Sequence, residues 1–453
     1  MRRIALLFLA AISFTSVAAA ATRPHYGGTL RVAVQSAPTT LVMPASSAPS
    51  DYWDMARVLS LIGDPLVKID AQGRPQPALA VAWQSDSASR HWQFTLQHGI
   101  KFHDGSAASA AAIATILGDF HRDWSIRASA GSLSADTLTI DTETSSPSLL
   151  AELALPRNLI FTRNAAGNPI GTGAFRVIDF QPGKLLKLAA SEESWSGRSF
   201  IDAIEIEFGK SLRDQGVALD LGRTDFIEAA PQAANASPRV RTTLPVELMA
   251  LVFSSNSKAQ DVHLRQALAL SVDRKPIQSV LLKGAAEPTA AVLPNWMTGY
   301  GAAFSTQANL QRAKALLAES RQPSLTLSYD PRDPQAQLIA ERIALNAREA
   351  GITIEVSLSR ADDLHLVRIA LPSSDPALSL RETARELSLP QPILHGNSVD
   401  DLYQAERTLL DGNMLIPLFH LPVASAAGPR VRGGSPDQLG VWNLQDLWLE
   451  DSR

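Results

Sequence analysis

The stretch His91–Gly105, HWQFTLQHGIKFHDG, preceded by Asp64–Trp83, DPLVKIDAQGRPQPALAVAW, decides how this chain is read. Its first half alternates: Trp92, Phe94 and Leu96 point one way and Gln93, Thr95 and Gln97 the other, which predicts a half-buried strand. A turn follows at His98-Gly99, then Ile100-Lys101-Phe102, then a second turn at Asp104-Gly105. Ser106 is positioned to cap an Ala-rich helix running to about Phe120. The block carries no chemistry; its value is as an ordered scaffold signature.

Outward from it, the 453 residues exceed what one hydrophobic core organises, so two or three lobes are expected. A net charge of −4, with both signs mixed along the chain, lacks the basic footprint of a nucleic-acid binder. Residues 1–21 read as a signal peptide: Arg2 and Arg3, an apolar run from Ile4 to about Phe14, then small residues with cleavage after Ala20 or Ala21. An N-terminal membrane anchor is the alternative reading of that run. No later window reaches the ~18 apolar residues of a membrane span. There is no cysteine, which excludes disulfides, thiolate metal sites, a Cys nucleophile and a lipidated N-terminal cysteine. The expectation is an exported periplasmic protein without a lipid anchor.

Along the chain, strands are predicted at Thr29–Val34, Leu66–Ile69, Thr137–Asp141, Arg176–Phe180, Lys184–Ala189 and Ala203–Phe208, with helices at Asp51–Leu61 and Ser148–Leu155. The second half alternates helix and strand: strand Met249–Ser254, helices Val262–Val272 and Leu310–Glu319, strand Ser324–Tyr329, helix Gln335–Ala350 ending at Gly351, then strand Ile352–Leu358. That alternation predicts an α/β lobe.

Candidate chemistry is sparse. Among nine histidines, His91, His98 and His103 are close in sequence but fall on different elements, without the i,i+4 spacing or the carboxylate of a zinc site. Gly167, Gly171 and Gly173 lack a P-loop ending and precede a strand, so they read as turn glycines adopting positive φ. No Gly-x-Ser-x-Gly elbow is present, and the neighbouring carboxylates Asp362-Asp363 and Glu192-Glu193 point apart. The sequence predicts no catalytic residues, no metal ligands and no cofactor, and reads as a binding protein, not an enzyme.

The ordered blocks carry a resemblance. They are Gly27-Gly28-Thr29-Leu30-Arg31-Val32; Asp64-Pro65-Leu66-Val67; Pro77-Ala78-Leu79-Ala80 with Trp83; and Trp92 to Gly105. Pro169 to Phe175, Trp195-Ser196-Gly197, Gly222-Arg223-Thr224-Asp225 and Asn256 through Asp261 to Ile277 follow. Ile416-Pro417-Leu418 and Val431-Arg432-Gly433 close the series. In this order the chain resembles the family 5 extracellular solute-binding proteins, the dipeptide-, oligopeptide- and nickel-binding components of ABC importers.

The resemblance implies an α/β, three-lobed periplasmic-binding-protein-like fold of type II, with an inserted extra lobe and mixed β-sheets flanked by helices. Lobe I would comprise 22–57, 160–248 and 428–453, the inserted lobe II 58–159, and lobe III 249–427. A monomer would enclose a small, peptide-like solute between lobes I and III by hinge closure and dock on permease subunits in the inner membrane. A non-peptide solute (acidic, sugar-derived or a metal chelate) and a sensor or scaffold without transport are the alternatives.

The implied ligand-binding residues are Ser36, Pro38, Thr39, Asn256, Trp296, Arg368, Ala370, Ser373, Ser374 and Asp375. In peptide-binding relatives a lobe III Asp pairs with the peptide α-amino group. Aligned on Asp375-Pro376, that position holds Pro372 here, and a slip of one or two residues would let Asp375 serve. Arg368 reads either as a solvated strand residue or as a cleft cation for a carboxylate. Trp296 reads as a pocket wall or a packed aromatic. The stretch Ser359–Val367 is too short for the family's usual helix, which implies a trimmed lobe III.

Overall fold

The computed structural model describes residues 24–43, 49–70, 72–129, 136–318, 324–358, 363–394, 396, 398–434, 440 and 442–450. The expected signal peptide, residues 1–21, lies outside them, as do residues 359–362 of the shortened stretch.

The opening block does form a strand, His91–Leu96, with Trp92, Phe94 and Leu96 buried. It pairs antiparallel with Ala80–Ser85 and Thr137–Thr142, and Trp124–Ser129 completes a four-stranded sheet. Helix Ala110–Phe120 lays Ile113 and Leu117 on Phe94, Leu138 and Ile140, giving this region a core of its own. The helix begins later than expected. Asp104 accepts hydrogen bonds from the Ser106 backbone and hydroxyl (2.9 and 2.6 Å), so Ser106 belongs to a turn, and Ser109 caps the helix instead.

Most other strands join one mixed eleven-stranded sheet. In its first half, Thr29–Ala33 runs parallel to both Ala203–Glu207 and Phe226–Ala229. Phe175–Gln181 and Leu185–Ala190 extend the edge beyond Ala203–Glu207. Helix Pro49–Ile62 buries Met55, Val58, Leu59 and Ile62 against this half. Gly171 and Gly173 serve that contact. A Cβ on either would lie 2.7 Å or less from the Ile62 backbone, and neither has positive φ, so close approach and not a left-handed turn requires glycine there. Gly167, with φ of +81°, keeps the turn role.

The second half of the sheet runs Val240–Phe253, Leu364–Ala370, Leu325–Tyr329 and Ile354–Ser357, with helices on both faces. Alternation places Met249, Leu251 and Phe253 in one core with helices Val262–Ser271, Leu310–Leu317 and Ala336–Ala350. Leu248, Ala250 and Val252 enter the other core, under helices Pro376–Glu386 and Val399–Leu410.

Two long strands join the halves: Val240–Phe253 and Leu415–Ala427 pair antiparallel in the middle of the sheet. Their register shifts around Pro245, which sits opposite Pro422. Neither proline has an N–H to give, so the ladder is interrupted at that point. The sequence reading finds only the Met249–Phe253 end of the first strand.

Candidate functional site

A cleft of about 890 Å³ opens between the two halves of the sheet. Strand ends bring its polar groups together: Gln35 and Ser36 follow Thr29–Ala33, and Glu228 is the last residue but one of Phe226–Ala229. Asp54 and Arg57 project from helix Pro49–Ile62. The facing wall takes Glu247 from one long strand, His365 and Arg368 from Leu364–Ala370, and Asp330, Arg332 and Asp333 from the loop after Leu325–Tyr329.

On the first wall Arg57 organises two carboxyls. Its Nη1 lies 3.3 Å from Asp54 and 3.8 Å from Glu228, its Nε donates to the Gly440 carbonyl at 3.2 Å, and its guanidinium stands over Trp442. Glu228 also accepts from the Gln35 backbone N–H (2.6 Å) and from Gln215 Nε2 (3.2 Å). Burial, and then the neighbouring Glu228, push the Asp54 carboxyl well above the usual carboxylate range, against the pull of Arg57 and the Ser36 hydroxyl. The wall is nearly closed to water: Arg57 and Asp54 are 5% and 7% exposed.

On the second wall Arg368 is held by Glu247 (Nε to Oε2, 3.1 Å) and Asp333 (Nη1 to Oδ2, 3.3 Å). Burial works against its charge, yet these two carboxylates keep the guanidinium above its ordinary value. Asp330 takes a bidentate contact from Arg332, 3.1 and 2.9 Å. Both ring nitrogens of His365 are engaged, one with Ser254 Oγ (2.9 Å) and one with Ser328 Oγ (2.5 Å). Across the cleft, Gln35 Nε2 donates to the Arg332 carbonyl at 3.3 Å.

Of the ten residues proposed from sequence, Ser36 and Arg368 line this cleft. Pro38 and Thr39 lie on the following bend, where the Pro38 carbonyl accepts from Gly183 N–H. Asn256 is exposed on a turn. The Trp296 indole N–H donates to the Pro245 carbonyl at 2.9 Å, which fits the packed-aromatic reading. Ala370 is buried against Ala56. Ser373 and Ser374 precede helix Pro376–Glu386, and Asp375 caps it by accepting from the Leu378 N–H at 2.7 Å. Asp375 is therefore committed to the helix N-terminus, and its carboxylate is not among the groups facing the cleft.

Sequence reasoning passes over Asp54, Arg57, Glu228, Glu247 and Asp333. One signal was available: Asp54 and Arg57 sit three residues apart among the apolar Met55, Val58 and Leu59, and paired charges on a buried helix face need a reason.

A second contact between regions lies outside the cleft. Arg157, beyond the small sheet, bonds Glu382 at 2.5 Å as well as Glu152, while Leu378 packs on Ala151 and Leu155. Among the described residues no group of three or more His, Asp or Glu is placed to hold a metal ion, and no helix is long and apolar enough to cross a membrane.

Comparison with known proteins identifies the fold and its relatives. Residues 74–378 match the family described as bacterial extracellular solute-binding proteins, family 5 middle region. The nickel-binding protein NikA of Staphylococcus aureus is 23% identical over 66% of this chain and 64% of its own. The nickel-binding periplasmic protein of Escherichia coli is 24% identical over 66% of each. The chain thus spans a little under two thirds of the length of these two curated relatives. Among solved structures, AgaA of A. tumefaciens R10 in complex with agropinic acid superposes with a TM-score of 0.78 at 19% identity, over 94% of this chain and 99% of that one. A dipeptide-binding protein of Pseudoalteromonas sp. SM9913 in complex with Met-Leu gives 0.78 at 15% identity, over 93% and 100%. These likenesses extend the fold beyond the family match to nearly the whole chain.

Proposed function

This chain belongs to the family 5 bacterial extracellular solute-binding proteins, which are non-enzymatic transport components, and on that premise we propose that it is the solute-capturing component of an ABC importer. It holds one small solute in the cleft between the two halves of the sheet and delivers it to a membrane permease. The observation that carries this reading is the cleft itself. At about 890 Å³ it falls in the range of small-molecule sites, and charged groups from both halves converge on it. The working compartment is the periplasm, as in the E. coli relative's name.

The lobe division follows the same reading: lobe I as 22–57, 160–248 and 428–453, lobe II as 58–159, lobe III as 249–427. The small sheet's separate core supports an inserted lobe II. The chain works as a monomer.

A peptide-like solute is the first class to test, because the cleft has room for a dipeptide and a fold relative is solved with Met-Leu. One observation favours a non-peptide solute instead. Asp375, the carboxylate that a slip of one or two residues would bring to the amine-binding position of the resemblance, is spent on a helix cap. Thermal melting of the purified chain with a dipeptide pool, nickel–histidine and agropinic acid separates the classes, since a ligand bound only by the native state raises Tm. A rise with one class assigns it. No rise with any of them removes solute capture and leaves the sensor or scaffold reading.

A further inference from the structure

The charge of the captured solute follows from how the two walls of the cleft are balanced. On the first wall two carboxyls, Asp54 and Glu228, share one guanidinium, Arg57. On the facing wall Glu247 and Asp333 share Arg368, while Asp330 is matched by Arg332. Among the described residues lining the cleft, each wall therefore carries one carboxyl more than it has guanidiniums. The surplus is spread over both halves of the molecule and faces one shared cleft, so the fields of the two walls add across it.

We infer that the cleft selects a solute bearing an ammonium or guanidinium group, seated between the Asp54–Glu228 and Glu247–Asp333 carboxylates, and disfavours solutes of net negative charge. The inference rests on the reading of this chain as a solute-binding protein. Arg368, the one sequence-proposed cation for an acidic ligand, already has two carboxylate partners. An anionic solute would have to displace one of them and leave it unpaired beside the ligand, a costly exchange. A cation leaves both arginines with their carboxylate partners and displaces at most the Asp54 proton, and its attraction to both walls draws them together. The buried Asp54 carboxyl favours its protonated form, and on the first wall a cation takes that proton's place.

The experiment uses the full chain and four probes: lysyl-alanine, alanyl-alanine, glutamyl-alanine and the smaller diamine putrescine. Isothermal titration should rank the dipeptides cationic, neutral, anionic, with at least about tenfold between the first and last, and the cationic probes should weaken as salt is raised. Glu247→Gln should reduce that preference by about tenfold. Asp54→Asn provides a second variant should the first perturb folding, as judged by its melting curve. Glutamyl-alanine binding as tightly as lysyl-alanine overturns the charge inference and leaves solute capture standing. A preference unchanged in both variants also overturns it, because the selection then arises elsewhere. Failure of all four probes, nickel–histidine and agropinic acid to bind overturns both readings.

Discussion

The two walls of the cleft use the same chemistry, a guanidinium shared by two carboxyls, in opposite settings. The Asp54–Arg57–Glu228 wall is buried, and its arginine is fixed by a backbone carbonyl and an aromatic ring as well as by its carboxyl partners. The Glu247–Arg368–Asp333 wall is partly open: the Arg368 side chain is 32% exposed, and one of its partners rides on the loop after Leu325–Tyr329. A fixed charge group is a reference surface; an open one on a loop can readjust to what arrives. The difference teaches that similar ion triads can face one cleft with different stiffness, one fixed in place and one able to readjust.

The sharpest way to break this contrast is to delete each arginine. Arg57→Ala should cost about 3–5 kcal/mol of stability by denaturant unfolding, because it removes the guanidinium that the buried Asp54 and half-buried Glu228 share. Arg368→Ala should cost only about 1–2 kcal/mol, since solvent screens a half-open site. Equal losses would end the distinction. Next in size is a pH effect confined to the buried wall. A carboxyl whose folded pKa is raised contributes stability that is present below its ordinary value and is lost as pH rises through the raised one. The share of unfolding free energy that Asp54 contributes should therefore fall as pH climbs out of the acid range, and Asp54→Asn should remove that share from the pH profile. Arg157→Ala removes the contact with Glu382 away from both walls. It should cost about 1 kcal/mol in the same unfolding assay and leave the solute-charge preference unchanged. The smallest effect is expected for Gln35→Ala, which removes one exposed hydrogen bond across the cleft. It should lower stability by about 0.5 kcal/mol and slightly expand the molecule in X-ray scattering.

Legibility from sequence tracks how local each feature is. The alternation at Trp92, Phe94 and Leu96 is a property of six consecutive residues, and the strand is found as read. Ser106 misleads because Asp104 engages it two residues earlier, a choice between two local bonds that spacing alone does not decide. Gly171 and Gly173 were legible as glycines that matter, though not for the right reason, since the Ile62 carbonyl that crowds them comes from a distant helix. The cleft is the extreme case. Asp54 meets Glu228, and Glu247 meets Arg368, only after the sheet has assembled. The family resemblance points to the region around 368–376, yet the chain turns away from the cleft after Arg368, where Ala370 packs on Ala56 and Asp375 starts a helix.

The facing prolines in the two long central strands have a mechanical consequence. Two paired strands resist twisting and sliding, because either motion shears every hydrogen bond along the ladder. At Pro245 and Pro422 the ladder has no bond to shear, so bending across that line is the compliant direction. The joint is a flexure with a scored crease. The cleft borders that line: Leu421, Val423 and Ala424, on either side of Pro422, are among its lining residues.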